Sequence, residues 1–249
     1  MVTNTPFRAI SNPSRYRVNT LSGEQTNMPT IAIVSQKGGS GKTTLAVHLA
    51  TAATIAGKVA CIIDTDPQAT AAAWGDWRGG SDPEVITTPP ARLARTIEDA
   101  AKLGAEVIVI DTPPHADAAA REAVKAADLV LIPTRPRAFD LHAIQTTAEL
   151  IRFAGKPAFV VFNAAPARGA QLFAEASAIV GSLGLEVCPV SFADRAAFHH
   201  STAAGKVAAE ADPQGKAAAE ANALWQWACD LVGMPSRKRV STITKGKGA

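Results

Sequence analysis

Ten consecutive residues, Ser35-Gln36-Lys37-Gly38-Gly39-Ser40-Gly41-Lys42-Thr43-Thr44, combine the side chains and backbone freedom that polyphosphate binding requires. Glycines fold the chain tightly enough for successive N–H groups to face one anion, and a helix starting there adds partial positive charge. At this spacing Lys42 can reach β- and γ-phosphates, and the Thr43 hydroxyl can ligate Mg²⁺. The pattern G-x-x-x-x-G-K-[ST] is met except at its first position, where Gln36 stands in place of glycine. Lys37 is an additional cation that the pattern does not ask for. Such a loop works between a strand and a helix. Ile31-Ala32-Ile33-Val34 ahead of it reads as a buried strand, and behind it Leu45, Leu49 and Ala52 recur at helical spacing with Ala46, Ala50 and Ala53.

Two further segments end apolar runs in carboxylates. Cys61-Ile62-Ile63 leads into Asp64-Thr65-Asp66-Pro67-Gln68, and Val107-Ile108-Val109-Ile110 leads into Asp111-Thr112-Pro113-Pro114. Ligands of parallel sheets bind at the carboxyl ends of strands, where these aspartates fall. Asp66 also suits a helix N-cap with Pro67 at the first helical position, a structural role compatible with a chemical one. Asp111 beside the glycine-rich loop can hold Mg²⁺ through its water shell.

The segment Lys37-Gly38-Gly39-Ser40-Gly41-Lys42-Thr43-Thr44 resembles the deviant Walker A loop of the ParA/MinD family of ATPases. The resemblance runs over about residues 30–233. It implies ATP and Mg²⁺ as cofactors and a homodimer in which Lys37 reaches the nucleotide of the partner subunit. Asp64-Thr65-Asp66 resembles the family's switch I, which assigns Asp66 to aligning and polarising the attacking water and Asp64 to supporting Mg²⁺ or the loop. The Asp111 segment resembles its Walker B and switch II. The implied catalytic set is Lys37, Lys42 and Asp66. Gly38, Gly39, Ser40, Gly41, Lys42, Thr43 and Thr44 would bind nucleotide, and Thr43, Asp64 and Asp111 would serve the metal. Asn163, ending the run Val160-Val161-Phe162, falls where relatives contact adenine, but it reads equally as an ordinary turn asparagine. No N-K-x-D guanine-reading motif occurs, which favours ATP over GTP.

Basic residues around the family's last two helices form a dimer-spanning surface for DNA of any sequence. Arg195 and Lys216 fall in that region, while Gln214 departs from its basic character; solvated surface charge is the competing reading. The function implied is a slow, partner-stimulated ATPase switch of the ParA type, without a helix-turn-helix domain in front. It would bind DNA nonspecifically and segregate a plasmid or chromosome through a ParB-type centromere-binding adaptor. Some relatives instead position protein assemblies through a cargo adaptor. The expected location is cytoplasmic and nucleoid-associated, with no membrane partner.

Composition is consistent with these expectations. Hydrophobic residues make up 47% of the 249-residue chain but aromatics only 5%, so its core must come from closely packed aliphatic and alanine side chains. No apolar run approaches membrane-spanning length, and no signal-peptide apolar region opens the sequence. Cys61, Cys188 and Cys229 lack paired spacing and read as small buried hydrophobes. They do not supply the cysteine pair of an iron–sulfur reductase of the same superfamily. The net charge of +3 is unevenly spread. Arg8, Arg15 and Arg17 outweigh Glu24 at one end, and Arg237, Lys238, Arg239, Lys245 and Lys247 stand without an acid at the other. The body between them is acidic. Basic ends suit either DNA contact or plain solvation.

Strand-like runs at 31–35, 59–63, 84–87, 106–110, 129–132, 158–162 and 186–190 alternate with helical stretches near 42–56, 68–78, 90–103, 116–127, 140–154, 168–183, 195–209 and 214–233. This predicts an α/β fold: a doubly wound, mostly parallel sheet with helices on both faces, of the P-loop NTPase type with a deviant Walker A loop. Gly57, Gly104, Gly155 and Gly184 close helical stretches as C-terminal caps. The expected organisation is a disordered extension over 1–27, one ATPase domain over 28–233 and a disordered basic tail over 234–249. Met28 directly precedes the first strand and offers an alternative start.

Three rival functions follow from the same residues. A MinD-like membrane switch needs an amphipathic helix beyond the fold. Leu224, Trp225, Trp227, Ala228, Leu231 and Val232 could supply one, but they fall where the fold's own last helix is expected. A P-loop ligase would leave Lys37 unexplained. A regulatory tyrosine kinase is disfavoured by a single tyrosine, Tyr16. Asp140 reads as a helix N-cap, and His199 and His200 as surface residues.

Overall fold

The computed structural model describes residues 28–115 and 117–236; the expectations for 1–27 and for 237–249 lie outside the described residues. Seven strands form one parallel sheet: β1 (Thr30–Ile33), β2 (Ala60–Asp64), β3 (Glu84–Thr87), β4 (Val107–Asp111), β5 (Leu129–Thr134), β6 (Ala158–Phe162) and β7 (Glu186–Val187). Their order across the sheet is β3-β2-β4-β1-β5-β6-β7. The helices are α1 (Lys42–Ile55), α2 (Thr70–Trp77), α3 (Leu93–Lys102), α4 (Asp117–Ala126), α5 (Ala138–His142), α6 (Gln145–Ala154), α7 (Ala170–Ser182), α8 (Ala196–Ala203), α9 (Ala208–Ala211) and α10 (Lys216–Val232).

The central strands are unbroken aliphatic runs because both sheet faces are covered. Alternate side chains enter opposite cores. Ile31, Ile33, Val107, Val109, Leu129 and Leu131 pack on the face of α1, α2 and α10. Ala32, Ile108, Ile110, Val130 and Ile132 pack on the face of α3, α4, α6 and α7. Crossovers running toward β3 use α1 and α2; those running toward β7 use α3, α4, α6 and α7. Right-handed parallel crossovers require this segregation. The winding therefore reverses beside β1, and the reversal opens a crevice at the carboxyl ends of β1 and β4.

Several boundaries depart from the sequence pattern. Strand β5 continues through Pro133 to Thr134. The Val130 N–H donates toward β6 and the Leu131 carbonyl faces β1, so the missing N–H of Pro133 falls on the β1 side, past the end of that strand. Strand β7 is only two residues long; Pro189 lacks the N–H that would extend it. Helix 140–154 is divided into α5 and α6 by a tight turn that keeps Leu141 and Ile144 both buried. Helix 195–209 is divided at Gly205, whose φ is +65°. Gly57, Gly104, Gly155 and Gly184 all have positive φ at helix ends, as expected of C-terminal caps.

The apolar stripe of α10 faces inward. Leu224, Trp225, Ala228 and Val232 are buried in the core shared with α1. Those residues supply a packed helix of the domain. Among the described residues no helix is long and apolar enough to cross a membrane.

Candidate nucleotide site

The ends of β1, β2, β4, β5 and β6 bring the candidate residues to one crevice. The loop after β1 turns with Gly39 at φ +69° and Gly41 at φ +90°, and α1 begins at Lys42. Gly41 is required twice over. Its conformation is left-handed, and a Cβ there would lie 1.8 Å from Asn163 Nδ2. That amide nitrogen donates to the Ser40 carbonyl at 2.8 Å, while Asn163 Oδ1 accepts from the Ala164 N–H. Asn163 thus braces the loop from the end of β6, a role in neither of the two sequence readings.

The two loop lysines part company. Lys42 is buried; its Nζ donates to the Lys37 carbonyl at 3.3 Å, and burial lowers its pKa against the pull of the Asp111 and Asp66 charges. Lys37 is half-exposed, its side chain 38% accessible, and its Nζ meets Oδ1 of the buried Asp140 at 2.6 Å. The expectation that Asp140 caps a helix is corrected. Arg137 occupies that position without a side-chain cap, and Asp140 lies inside α5 holding Lys37. Two other partners of the loop were missed in the sequence. Gln36 Nε2 donates to Asp117 Oδ1 at 2.6 Å at the start of α4, and Arg135 Nη2 donates to the Gly39 carbonyl at 3.4 Å. Gln36 carried a signal, being the one departure from the loop pattern.

The three aspartates meet different fates. Asp111, 1% exposed, accepts a 2.6 Å hydrogen bond from the Thr43 hydroxyl through Oδ2. Its Oδ1 is buried and has no hydrogen-bond partner among the described residues. Burial pushes its carboxyl up to about 7, opposed by the Thr43 hydrogen bond and the Lys42 charge. A buried, unpaired carboxylate oxygen beside a threonine hydroxyl fits a hard divalent cation with oxygen ligands.

Asp64 is spent on the backbone: Oδ1 accepts from Asp66 N at 2.9 Å, and Oδ2 from Ala71 N at 3.0 Å and Ala72 N at 3.1 Å. The expected N-cap role of Asp66 is also corrected. Helix α2 begins only at Thr70, and Asp64 takes up the amides of its first turn. Asp66 Oδ1 accepts from Gln68 N at 2.8 Å, and its residue lines an open groove with Pro67, Ala69, Thr88 and Pro89.

Arg195 and Lys216 lie apart from this crevice, at the starts of α8 and α10, lining one cavity of about 410 Å³ with Asp194 and Asp212. Arg195 is bound to Glu220 through Nη2 at 2.6 Å and Nε at 3.0 Å. Lys216 is exposed. The three cysteines are buried, and burial raises each thiol to about 12. His199 and His200 are exposed on α8, and no three-residue metal cluster occurs among the described residues.

A parallel sheet of this order with a glycine-rich loop opening its first helix defines a P-loop NTPase fold. Residues 31–190 match the CobQ/CobB/MinD/ParA nucleotide-binding domain, and the chain belongs to that family of P-loop ATPases. It is 30% identical over 203 residues to the maintenance of carboxysome distribution protein A of Halothiobacillus neapolitanus, covering 77% of this chain and 91% of that protein. Its namesake from Gloeobacter kilaueensis is 40% identical over 122 residues, 47% of this chain and 54% of that protein. Here the chain spans about half the relative's length. The septum site-determining protein MinD of Pyrococcus horikoshii, complexed with Mg-ADP, superposes with a TM-score of 0.66 at 18% identity, covering 83% of this chain and 98% of that one.

Proposed function

We propose that this protein is an ATP-hydrolysing, dimerising switch that positions cargo on DNA. The observation that carries the reading is the divergence of the two loop lysines. Lys42 is buried against the phosphate-binding backbone, whereas Lys37 is half-exposed and paired with Asp140, where a second subunit would have to take it up. Loop amides and Lys42 would hold the β- and γ-phosphates of ATP. Mg²⁺ held by Thr43 and Asp111 would neutralise charge on the same oxygens, and the unpaired Asp111 oxygen supports its binding there. Asp66 would orient water at the open side of the crevice, while Asp64 keeps the loop and α2 in place. Lys37 from the partner would complete the site, so that hydrolysis follows dimerisation. A carboxylate at Asp140 holds that lysine in the single subunit.

The exposed Lys216 at the start of α10 supports a DNA-facing surface, while Arg195 beside it is already held by Glu220. The cargo is reached through an adaptor. Plasmid or chromosome partition through a ParB-type protein is one form. The similarity to carboxysome-distribution proteins supports the other, positioning of a protein assembly.

The lysine pair provides the test. Lys42→Ala should abolish tight ATP binding, because that contact lies within the subunit. Lys37→Ala should keep nucleotide affinity within a few-fold of the parent yet lose ATP-driven dimerisation and phosphate release. Equal losses of ATP affinity in both variants, read by fluorescent-nucleotide titration, would remove the case for a lysine that acts across the interface.

A further inference from the structure

The helices that leave the two nucleotide loops converge on one short segment near the other end of the chain. Helix α1 leaves the glycine-rich loop and carries His48, which is fully buried. Its Nε2 accepts from the Ala208 N–H at 3.2 Å, so Nδ1 carries the proton and donates to the Thr44 carbonyl at 2.8 Å. The ring is also held edge-on against Phe198 at 5.0 Å and Phe192 at 6.2 Å. A neutral imidazole is what these bonds need, and burial supplies it by lowering the pKa of His48 to about 4.

Helix α2, which follows Asp66, reaches the same segment by a different route. Trp74 Nε1 donates to the Lys206 carbonyl at 3.2 Å, and Arg78 Nη1 to the Gly205 carbonyl at 3.0 Å. Arg78 also forks onto Glu210 at 2.9 and 2.7 Å, and Glu210 in turn accepts from the Val207 N–H. Gly205 packs so closely that a Cβ there would stand 2.6 Å from the Trp77 carbonyl carbon. The segment also borders the candidate surface: buried Ala208 lines the cavity whose walls include Arg195 and Lys216.

A γ-phosphate acts on the loops at the starts of α1 and α2. Any relative shift of these helices strains residues 205–210 from two sides, because a buried hydrogen bond ties the segment to α1 and part-buried ones, with the Arg78–Glu210 fork, tie it to α2. We propose that Gly205–Glu210 is the joint that sets the position of the Arg195–Lys216 surface according to the nucleotide, with His48 and Arg78 as its positioning residues. This rests on the reading of that surface as DNA-facing.

Amide hydrogen exchange on the unmodified full chain, with and without Mg-ATP, tests the joint directly. ATP should change exchange over 205–216 together with 36–44. A phosphate loop that responds while 205–216 does not would overturn the proposal. His48→Leu removes both imidazole hydrogen bonds, His48→Gln keeps a donor and an acceptor at similar reach, and Arg78→Met keeps the stem but loses the fork. With His48→Leu or Arg78→Met, ATP should still drive dimerisation, but the gain in DNA affinity that ATP confers should shrink about tenfold. His48→Gln should restore most of it. Folded Leu and Met variants that keep the parent's full gain would sink the joint. A parent that binds DNA in no nucleotide state would instead sink the DNA reading, and the exchange experiment would still decide the joint.

Discussion

Asp111 shows how one buried atom can dictate a pH profile. Its folded pKa, about 7, stands above the ordinary carboxylate value, so between the two the folded chain binds the extra proton. The group's contribution to stability is therefore complete at low pH and lost as pH rises through about 7. Asp111→Asn carries no charge to bury. Without Mg²⁺ it should melt well above the parent at pH 8 and by a smaller margin at pH 5. Mg²⁺ should raise the parent's melting temperature more at pH 8 than at pH 6 and do little for the variant. Scanning calorimetry at the three pH values checks this, and a difference between parent and variant that ignores pH would refute it. The sequence revealed that a carboxylate lies here. That one of its oxygens is unpaired depended on β4, β2 and α1 meeting around it.

At the scale of elements, Asp64 and Asp66 divide structure from chemistry. Asp64 satisfies two amides at the first turn of α2 and one in its own loop. Removing it leaves buried donors unpaired, at about 1–3 kcal/mol. Asp64→Ala should therefore lower the melting temperature by about 2–10 °C. Asp66 accepts a single exposed amide, so Asp66→Ala should leave the melting temperature almost unchanged and stop phosphate release while ATP still binds. Comparable melting losses in the two would contradict the division. Local spacing alone presents two carboxylates at the end of one strand, and only the resemblance to the family's switch I set Asp66 on the water and Asp64 on Mg²⁺ or the loop. Their roles separated because α2 starts at Thr70, which placed the open amides beside Asp64. The undivided helix expected over 195–209 failed for a related reason. Local periodicity runs through Gly205, but close packing on Trp77 does not permit the helix to continue.

For the whole molecule, the body is acidic while basic side chains gather at its ends. If two subunits present Lys216 together, DNA affinity should fall far more than twofold when the dimer is lost, because paired weak contacts act jointly. Binding should ignore sequence and weaken steeply with salt. Lys216→Glu should weaken binding and flatten the salt dependence. Arg195→Ala should cost stability first, since Glu220 already holds that side chain. Removing residues 237–249 in parallel separates a sticky terminus from a surface; Ser236 is retained because its carbonyl accepts from Trp225. Filter binding at several salt concentrations gives the slopes. ATP-independent binding that vanishes with residues 237–249 would defeat the surface, and binding to anionic vesicles but not DNA would point to a membrane partner.

What the sequence determined by itself was whatever is set by local spacing. The glycine-rich loop, the aliphatic strands, the aspartates at their ends and the glycines that close helices are each written within about ten residues. The alternation of strand and helix then left a doubly wound sheet as the fold, because crossover handedness allows few ways to cover both faces. Tertiary structure alone decided how distant side chains divide those positions among tasks. Lys37 meets Asp140 and Asn163 braces Ser40; Arg195 turns to Glu220, and His48 accepts from Ala208. Those pairs lie from 25 to 160 residues apart in sequence. No periodicity encodes such separations. They exist because the sheet brings the ends of β1, β5 and β6 side by side and because burial leaves each polar group only the partner that packing has placed within reach.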